Sequence, residues 1–176
     1  MSRTERAHLR HLLVEGEGAL YAVLDAARSP RVSILVRASG EPSQSLYEGA
    51  KGAALAPWGP LLVELGPESR LLDSLLGEGW GESWGLFLRS PAGFRHVRRH
   101  FRRLLIVQSE AGKKLYFRFY DPRVMRTFLP IATERQLAAL FDEVDSYWME
   151  SADAEALSCF RHDGGALVAT QLGGPD

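Results

Sequence analysis

The sequence contains a single cysteine, only three lysines and no long apolar run. Cys159 alone can form neither an intramolecular disulfide nor a Cys-x-x-Cys metal site. Residues 52–63, one of the two longest uncharged stretches, contain two prolines. A stretch of this length is shorter than the ~18 apolar residues that a membrane span needs. Residues 1–16 have no apolar core of the kind found in secretory signal peptides. We therefore expect a cytoplasmic protein with no membrane partner.

The sequence also lacks an excess of charge of either sign, because 21 Lys and Arg residues oppose 22 Asp and Glu residues. A nucleic-acid-binding domain normally has a marked basic excess, so we expect no nucleic-acid partner. The hydrophobic fraction of 45% is ordinary for a globular protein and excludes a disordered or fibrous chain. A length of 176 residues is sufficient for one domain with a short appendage.

Cap and turn signals divide the chain into alternating helices and strands. Ser2-Arg3-Thr4-Glu5 is a capping box that predicts a first helix, and Pro30 opens a second helix. Residues 19–25 predict a buried strand, and Asp163-Gly164-Gly165 predicts a hairpin turn. We therefore predict an α/β fold, a single domain with a mixed β-sheet flanked by helices and a C-terminal hairpin-like appendage. The expected boundaries are 1–18 for the N-terminal helix, 19–149 for the α/β domain and 150–176 for an acidic connector with the hairpin.

A strongly cationic helix is predicted from Phe94, because its apolar residues recur at three- and four-residue steps. Its arginines are Arg95, Arg98, Arg99, Arg102 and Arg103. We expect this face to bind an acidic surface of a partner protein. The alternatives are a solvated helix face balanced by nearby carboxylates and binding of nucleic-acid phosphates. His96 and His100 have the spacing of a zinc pair. The arginines around them would repel a dication, so we expect no metal and no cofactor.

Residues 114–120 alternate in the manner of a half-buried strand, paired with the apolar residues 105–107. The pattern places Leu115, Phe117 and Phe119 on one face and Tyr116, Arg118 and Tyr120 on the other. The second set has the composition of a protein interface. The alternative is that a helix covers this face and that Arg118 pairs with a carboxylate such as Asp121 or Glu48.

Residues 81–85 match the Gly-x-Ser-x-Gly pattern of a hydrolase nucleophile elbow, with Ser83 as the nucleophile. Asp121 and His162 follow in the order that a catalytic triad on this fold requires. However, the elbow needs a strand before its serine and a helix after it, whereas the predicted strand here follows Ser83. We therefore expect no catalytic residue and retain a small serine hydrolase as the alternative function.

Several segments together resemble one bacterial family. The segments are residues 20–28 (LYAVLDAAR), 45–49 (SLYEG), 55–57 (LAP), 84–90 (WGLFLRS), 99–104 (RHFRRL) and 117–124 (FRFYDPRV). In order and spacing they are similar to a small adaptor or chaperone domain, originally a domain of unknown function, that is encoded beside type VI secretion spike and effector genes. The resemblance extends from about Leu20 to Trp148.

The resemblance implies a non-enzymatic adaptor that binds a toxic effector in the cytoplasm. It also implies that the adaptor promotes loading of the effector onto its cognate valine–glycine repeat spike protein (VgrG) or onto the PAAR protein at the spike tip. The residues that carry the family motif are Tyr47, Glu48, Gly49, Phe117, Phe119, Asp121 and Pro122. We expect the arginine face to bind one partner. The other partner is expected on the face of Tyr116, Arg118 and Tyr120, with Arg123, or on the region of Trp58 and Trp84.

Overall fold

The structure, a computed structural model, describes residues 2–48, 54–108 and 112–173. Within these residues the helices are α1 (Arg3–Val14), α2 (Pro30–Ser39), α3 (Arg70–Ser74), α4 (Phe94–Leu104), α5 (Pro122–Phe128) and α6 (Glu134–Phe141). The strands are β1 (Ala19–Asp25), β2 (Ser43–Ser45), β3 (Pro60–Leu65), β4 (Gly85–Ser90), β5 (Ile106–Gln108), β6 (Lys114–Tyr116), β7 (Ser146–Glu150), β8 (Leu157–Asp163) and β9 (Ala166–Leu172).

Seven strands form one sheet in the order β2-β3-β1-β4-β7-β8-β9, and β5 and β6 form a separate two-stranded ribbon. The predicted α/β class in a single domain is confirmed. Every paired neighbour in the sheet is antiparallel, whereas a mixed sheet was expected. The sheet contains no parallel neighbours because β1 lies between β3 and β4. These two strands are joined through α3 and run in the same direction, but they do not pair with each other. The inserted strand converts a parallel crossover into two antiparallel pairs.

Helices cover both faces of the sheet, so the molecule has three layers. On one face α1, α2 and α3 pack their leucines and valines against the sheet, with Trp84, Phe87 and Trp148 in the same cluster. On the other face α4, α5 and α6 pack against Tyr21, Leu88 and Tyr147. Strands that are buried on both faces form continuous apolar runs, which explains why residues 19–25 lack alternation.

The C-terminal hairpin forms as predicted. Gly164 and Gly165 both have positive φ, 55° and 85°, which a two-residue type I′ turn requires. The hairpin is an extension of the main sheet, because β8 pairs with β7 along Tyr147–Glu150. Residues 157–160 are therefore buried, and β9 becomes the edge strand of the sheet.

The segment 114–120 departs from the predicted strand. Pairing in the ribbon stops at Tyr116, and a turn follows in which the Asp121 N–H donates to the Arg118 carbonyl at 3.0 Å. This turn ends the alternation, so Phe119 and Tyr120 both enter the core although they are adjacent in sequence. The predicted face of Tyr116, Arg118 and Tyr120 does not exist as a strand face.

Arg89 on β4 attaches α1 to the sheet. Its buried guanidinium donates to the backbone carbonyls of Leu13 at 2.7 Å, Gly16 at 3.0 Å and Gly18 at 2.8 Å. Carbonyls at the end of a helix have no partner within the helix, and a cation beside them interacts favourably with the helix dipole. Burial lowers the pKa of Arg89, but a guanidinium remains charged at neutral pH.

Replacing Arg89 with methionine is expected to lower the free energy of unfolding by about 2–4 kcal/mol, because several hydrogen bonds from a buried charge are lost together. Urea unfolding measures the loss, and hydrogen exchange should show α1 losing its protection before the sheet does. The matched control is Arg135→Met at an exposed position of α6, for which the change should stay within about 0.5 kcal/mol. Equal effects of the two substitutions would contradict the anchoring role of Arg89.

Candidate protein-binding site

The inner face of α4 is apolar and its outer face is cationic. Val97 and Phe101 are fully buried, and His100 is buried beside them, so that three positions at helical spacing face the core. The His100 Nε2–H donates to the Leu140 carbonyl at 3.1 Å, and burial lowers the pKa of His100. His96 is exposed. One histidine is thus in solvent and the other in the core, and no metal-holding group of His, Cys, Asp or Glu occurs in the described part of the chain.

The five arginines of α4 divide into paired and free side chains. Arg98 donates to the Ser45 carbonyl through Nε (3.0 Å) and Nη2 (2.8 Å), and Arg98 and Arg102 both form ion pairs with Glu48. Arg103 lies 3.4 Å from Asp142 in an exposed pair. Arg95 and Arg99 are exposed, and neither has an ion-pair or hydrogen-bond partner among the residues that the structure describes.

Arg95 and Arg99, which are unpaired as far as the structure describes the chain, line an open groove of about 830 Å³ between α4 and the edge strand β2. Its lining residues are Gln44, Gly93, Phe94, Arg95, His96, Arg98, Arg99 and Arg102. We call it the arginine groove. Guanidinium groups bind carboxylates bidentately, so the groove suits an acidic segment of another protein. The prediction that this face binds a partner remains a prediction.

A buried polar network connects the segments that carry the family resemblance. Asp25 at the end of β1 is 1% exposed and accepts a hydrogen bond from Arg118 at 2.6 Å. Asp121 lies 3.9 Å from Arg118 and binds Arg123 at 2.6 and 2.9 Å, while its side chain also caps α5. Burial alone would raise the pKa of Asp121, but the hydrogen bonds from Arg123 outweigh it and lower the pKa.

Arg118 is therefore paired with a carboxylate, as the alternative arrangement expects, and the expected partner Asp121 lies within ion-pair distance at 3.9 Å. The other part of that alternative, a helix that covers the whole face, is wrong, because Tyr116 is 47% exposed. Its closest partner is Asp25, which the sequence analysis did not name, and Glu48 pairs instead with arginines of α4. An aspartate that ends an otherwise apolar strand was the available signal, because a charge at the end of a buried run needs a partner. The guanidinium of Arg118 also lies 5.8 Å from the centre of the Tyr120 ring.

Tyr47 lies between the ribbon and Gly59. The Tyr116 hydroxyl donates to the Tyr47 hydroxyl, and Gly59 contacts the Tyr47 ring so closely that a Cβ would collide with it. Burial raises the pKa of Tyr120 to about 12. Of the other family-motif residues, Phe117 and Phe119 pack in the core and Pro122 opens α5. Gly49 lies outside the described residues.

The structure corrects two of the predicted surface anchors. Trp84 is 9% exposed and packs in the core against Gly79, and Tyr120 is buried in the core beside Phe119. Neither side chain can serve as an exposed anchor. Trp58 is 63% exposed and Tyr116 is 47% exposed, so both remain available, and Arg123 is exposed while it holds Asp121.

An exposed apolar surface on the ribbon was missed by the sequence analysis. Ile106, Val107 and Leu115 are exposed together with Tyr116, and the pairing places Ile106 opposite Tyr116 and Val107 opposite Leu115. We call these four residues the apolar ribbon. Their apolar character had indicated burial, but the short ribbon is separate from the main sheet. Because successive side chains of a strand point to opposite faces, Ile106 and Tyr116 share one face of the ribbon, and Val107 and Leu115 share the other. Exposed apolar pairs of this kind are typical of a surface that binds another protein.

Ser83 is bound by a carboxylate from a neighbouring strand. Its hydroxyl donates to Glu150 at 3.1 Å, and the N–H groups of Gly81 and Ser83 donate to the same carboxylate. A π-helical turn precedes this segment and β4 follows it, which is not the arrangement of a nucleophile elbow. Within the described chain no hydrogen bond joins Ser83 to Asp121 or His162, and His162 Nε2 is buried without a partner.

Within the described residues, no helix combines the length and the apolar character needed to cross a bilayer.

Comparison with known proteins identifies one family. The model of the family described as a domain of unknown function (DUF4123) matches residues 20–139, which is about two thirds of the chain. No curated protein and no solved structure gives a match. The matched segment contains both Asp25 and Arg118, as well as all of α4, so the buried network and the arginine groove lie inside it. The chain belongs to the DUF4123 family.

Proposed function

We propose that this protein is a non-enzymatic cytoplasmic adaptor that binds a type VI secretion effector and promotes its loading onto the cognate VgrG or PAAR spike protein. The observation that carries the proposal is the family match over residues 20–139, because the DUF4123 family is associated with type VI secretion effector adaptors. An adaptor needs complementary surfaces and no assembled catalytic group. Two exposed surfaces of different character meet that need.

The arginine groove supports binding of an acidic segment. Arg95 and Arg99 have no partner within the described chain that a ligand would need to displace. Arg98 and Arg102 already hold Glu48, so they contribute positive potential while keeping the loop after β2 in place. Complementary charge across an interface mainly raises the association rate and the specificity.

The apolar ribbon supports binding of an apolar segment. A chaperone needs such a surface in order to cover apolar parts of its effector. The side chains on the face that a partner covers lose contact with water, and aromatic anchors contribute most to such interfaces. The face of Ile106 and Tyr116 carries such an anchor. Trp58 is connected to the ribbon through Gly59 and Tyr47. We assign the groove and the ribbon to different partners, since one is charged and the other is apolar.

Deletion of the gene in its native cells tests the loading role. Spike complexes are then isolated through a tagged spike protein, and the amount of effector in them is measured. Complementation with the wild-type gene should restore the effector to the spike. Spike complexes that contain as much effector without the protein as with it would contradict the proposed function.

Substitution of Ser83 separates the adaptor from the serine hydrolase. Ser83→Gly removes the hydroxyl and tolerates the positive φ of 54° at this position. We expect the variant to lose about 1 kcal/mol of stability, because one hydrogen bond to Glu150 is lost, and to bind its partners as the wild type does. Ester-hydrolysis assays should give the same rate for both proteins. A wild-type turnover that disappears in Ser83→Gly would favour the hydrolase.

A further inference from the structure

The two edges of the main sheet differ in how they are protected. At the edge strand β2, the Leu46 N–H donates to the Pro60 carbonyl and the Glu64 N–H to the Pro42 carbonyl. Backbone groups at even-numbered positions therefore face β3, and the Ser45 carbonyl points away from the sheet. Arg98 donates two hydrogen bonds to that carbonyl. This edge strand is short, and an arginine side chain covers its outward carbonyl. Proteins commonly protect the edges of their sheets in these ways.

The opposite edge has none of these protective features. Strand β9 is seven residues long, and its sequence ALVATQL contains no charge and no proline. Residues 168–171 are all exposed. A long uncharged edge strand is a ready template for pairing with another strand.

The hairpin turn determines which backbone groups of β9 are open. In a two-residue hairpin the residues that flank the loop, here Asp163 and Ala166, form the first hydrogen-bonded pair. Hydrogen bonding to β8 alternates from there, so Ala166, Val168, Thr170 and Leu172 face β8. The outward N–H and C=O groups belong to Leu167, Ala169 and Gln171, and this set is symmetric about Ala169.

We propose that β9 pairs antiparallel with β9 of a second copy of this chain, with the two Ala169 residues opposite each other. Leu167 of each copy then faces Gln171 of the other, and every outward N–H and C=O group of the three positions meets its complement. Val168 faces Thr170 of the second copy, so no like charges oppose each other. The pairing joins two seven-stranded sheets into one and does not depend on the adaptor function.

Sedimentation of the full chain tests the pairing directly. Over about 10 µM to 1 mM, the wild type should shift from monomer to dimer with concentration. The variant Val168→Glu/Thr170→Glu places glutamates opposite glutamates across the proposed symmetric interface and should raise the dissociation constant tenfold or more. The variant Val168→Glu/Thr170→Lys places each glutamate opposite a lysine and should restore the dimer. Both positions are exposed, and circular dichroism verifies that each variant is folded.

A wild type that remains monomeric over the whole range would overturn the proposal. A dimer that persists unchanged in Val168→Glu/Thr170→Glu would place the contact on another surface and would overturn it equally. If both double variants are monomeric, the strand pairs in a different register or with a different protein, and the symmetric arrangement about Ala169 is wrong.

Discussion

The double variant Arg95→Glu/Arg99→Glu is expected to weaken binding of the partner at the arginine groove by tenfold to a hundredfold. Both guanidinium groups are exposed and unpaired within the described chain, so the reversed charges oppose an acidic ligand without breaking any internal contact. Most of the change should appear in the association rate and in its dependence on salt. Surface plasmon resonance at two ionic strengths, with the purified effector and spike protein as separate ligands, measures both.

The control is Arg37→Glu/Arg135→Glu, which changes the net charge by the same amount at exposed positions of α2 and α6. Its affinity should remain within about twofold of the wild type, since distant charges are largely screened at physiological salt. Arg98 and Arg102 are unsuitable for this test, because they hold Ser45 and Glu48. Equal losses in both double variants would show a general charge effect and would contradict the assigned site.

Replacing Arg118 with methionine is expected to reduce the free energy of unfolding by about 2–4 kcal/mol. The carboxylate of Asp25 is almost fully buried. Without Arg118 it keeps, among the described residues, the hydrogen bond from the Ala27 N–H at 3.0 Å. Removing one partner of a fully buried ion pair usually costs about 3–5 kcal/mol of stability. The expected loss is smaller here, because the Arg118 side chain is 45% exposed and water screens part of the attraction. Chemical denaturation measures the loss.

A double-mutant cycle identifies the cause of that loss. Asp25→Asn in the Arg118→Met background removes the unpaired charge and should recover part of the stability, giving a coupling energy of about 1–3 kcal/mol. The control, Arg99→Met, removes an exposed arginine that has no side-chain partner among the described residues, and it should change stability by less than about 0.5 kcal/mol. Additive effects of Asp25→Asn and Arg118→Met would contradict the ion pair as the source of the stability.

Local signals in the sequence predict the element boundaries well. The sequence has two capping-box patterns, Ser2–Glu5 and Thr133–Gln136, and both form. The predicted strand 19–25 has the expected bounds, and the second helix begins at Pro30 as expected. Asp121-Pro122 opens α5 as an N-cap followed by proline at the first helical position. These features depend on neighbouring residues alone, because the hydrogen bonds of a helix cap or a two-residue turn join residues only a few positions apart.

Long-range pairing could not be read from the sequence in the same way. The antiparallel sheet depends on β1 lying between β3 and β4, which no local pattern records. Similarly, residues 114–120 alternate, but the cap at Asp121 requires a turn that overrides the alternation and buries Phe119 and Tyr120. The partner of Arg118 is Asp25, 93 positions away along the chain, so residue type alone could not select it over nearer carboxylates.

The sequence predicts where the candidate site lies, and the structure shows which of its arginines are available to a partner. The sequence indicates a cationic helix, but it cannot separate Arg95 and Arg99 from the arginines that hold the loop after β2. That distinction depends on Glu48 and on the Ser45 carbonyl, which reach α4 only in the folded chain. For the apolar ribbon the sequence predicts the wrong environment. Its residues have the apolar character of a buried strand, but the fold leaves their side chains exposed.

Affinity purification of the tagged protein from its native cells, with identification of the co-purifying proteins by mass spectrometry, tests the adaptor role most directly. The purification is done in parallel with wild type, Arg95→Glu/Arg99→Glu and Arg37→Glu/Arg135→Glu. We predict that the wild type and the control recover one toxin and one spike protein, and that the groove variant loses one of the two. Recovery of neither protein by the wild type, from cells that express a type VI apparatus, would contradict the adaptor function.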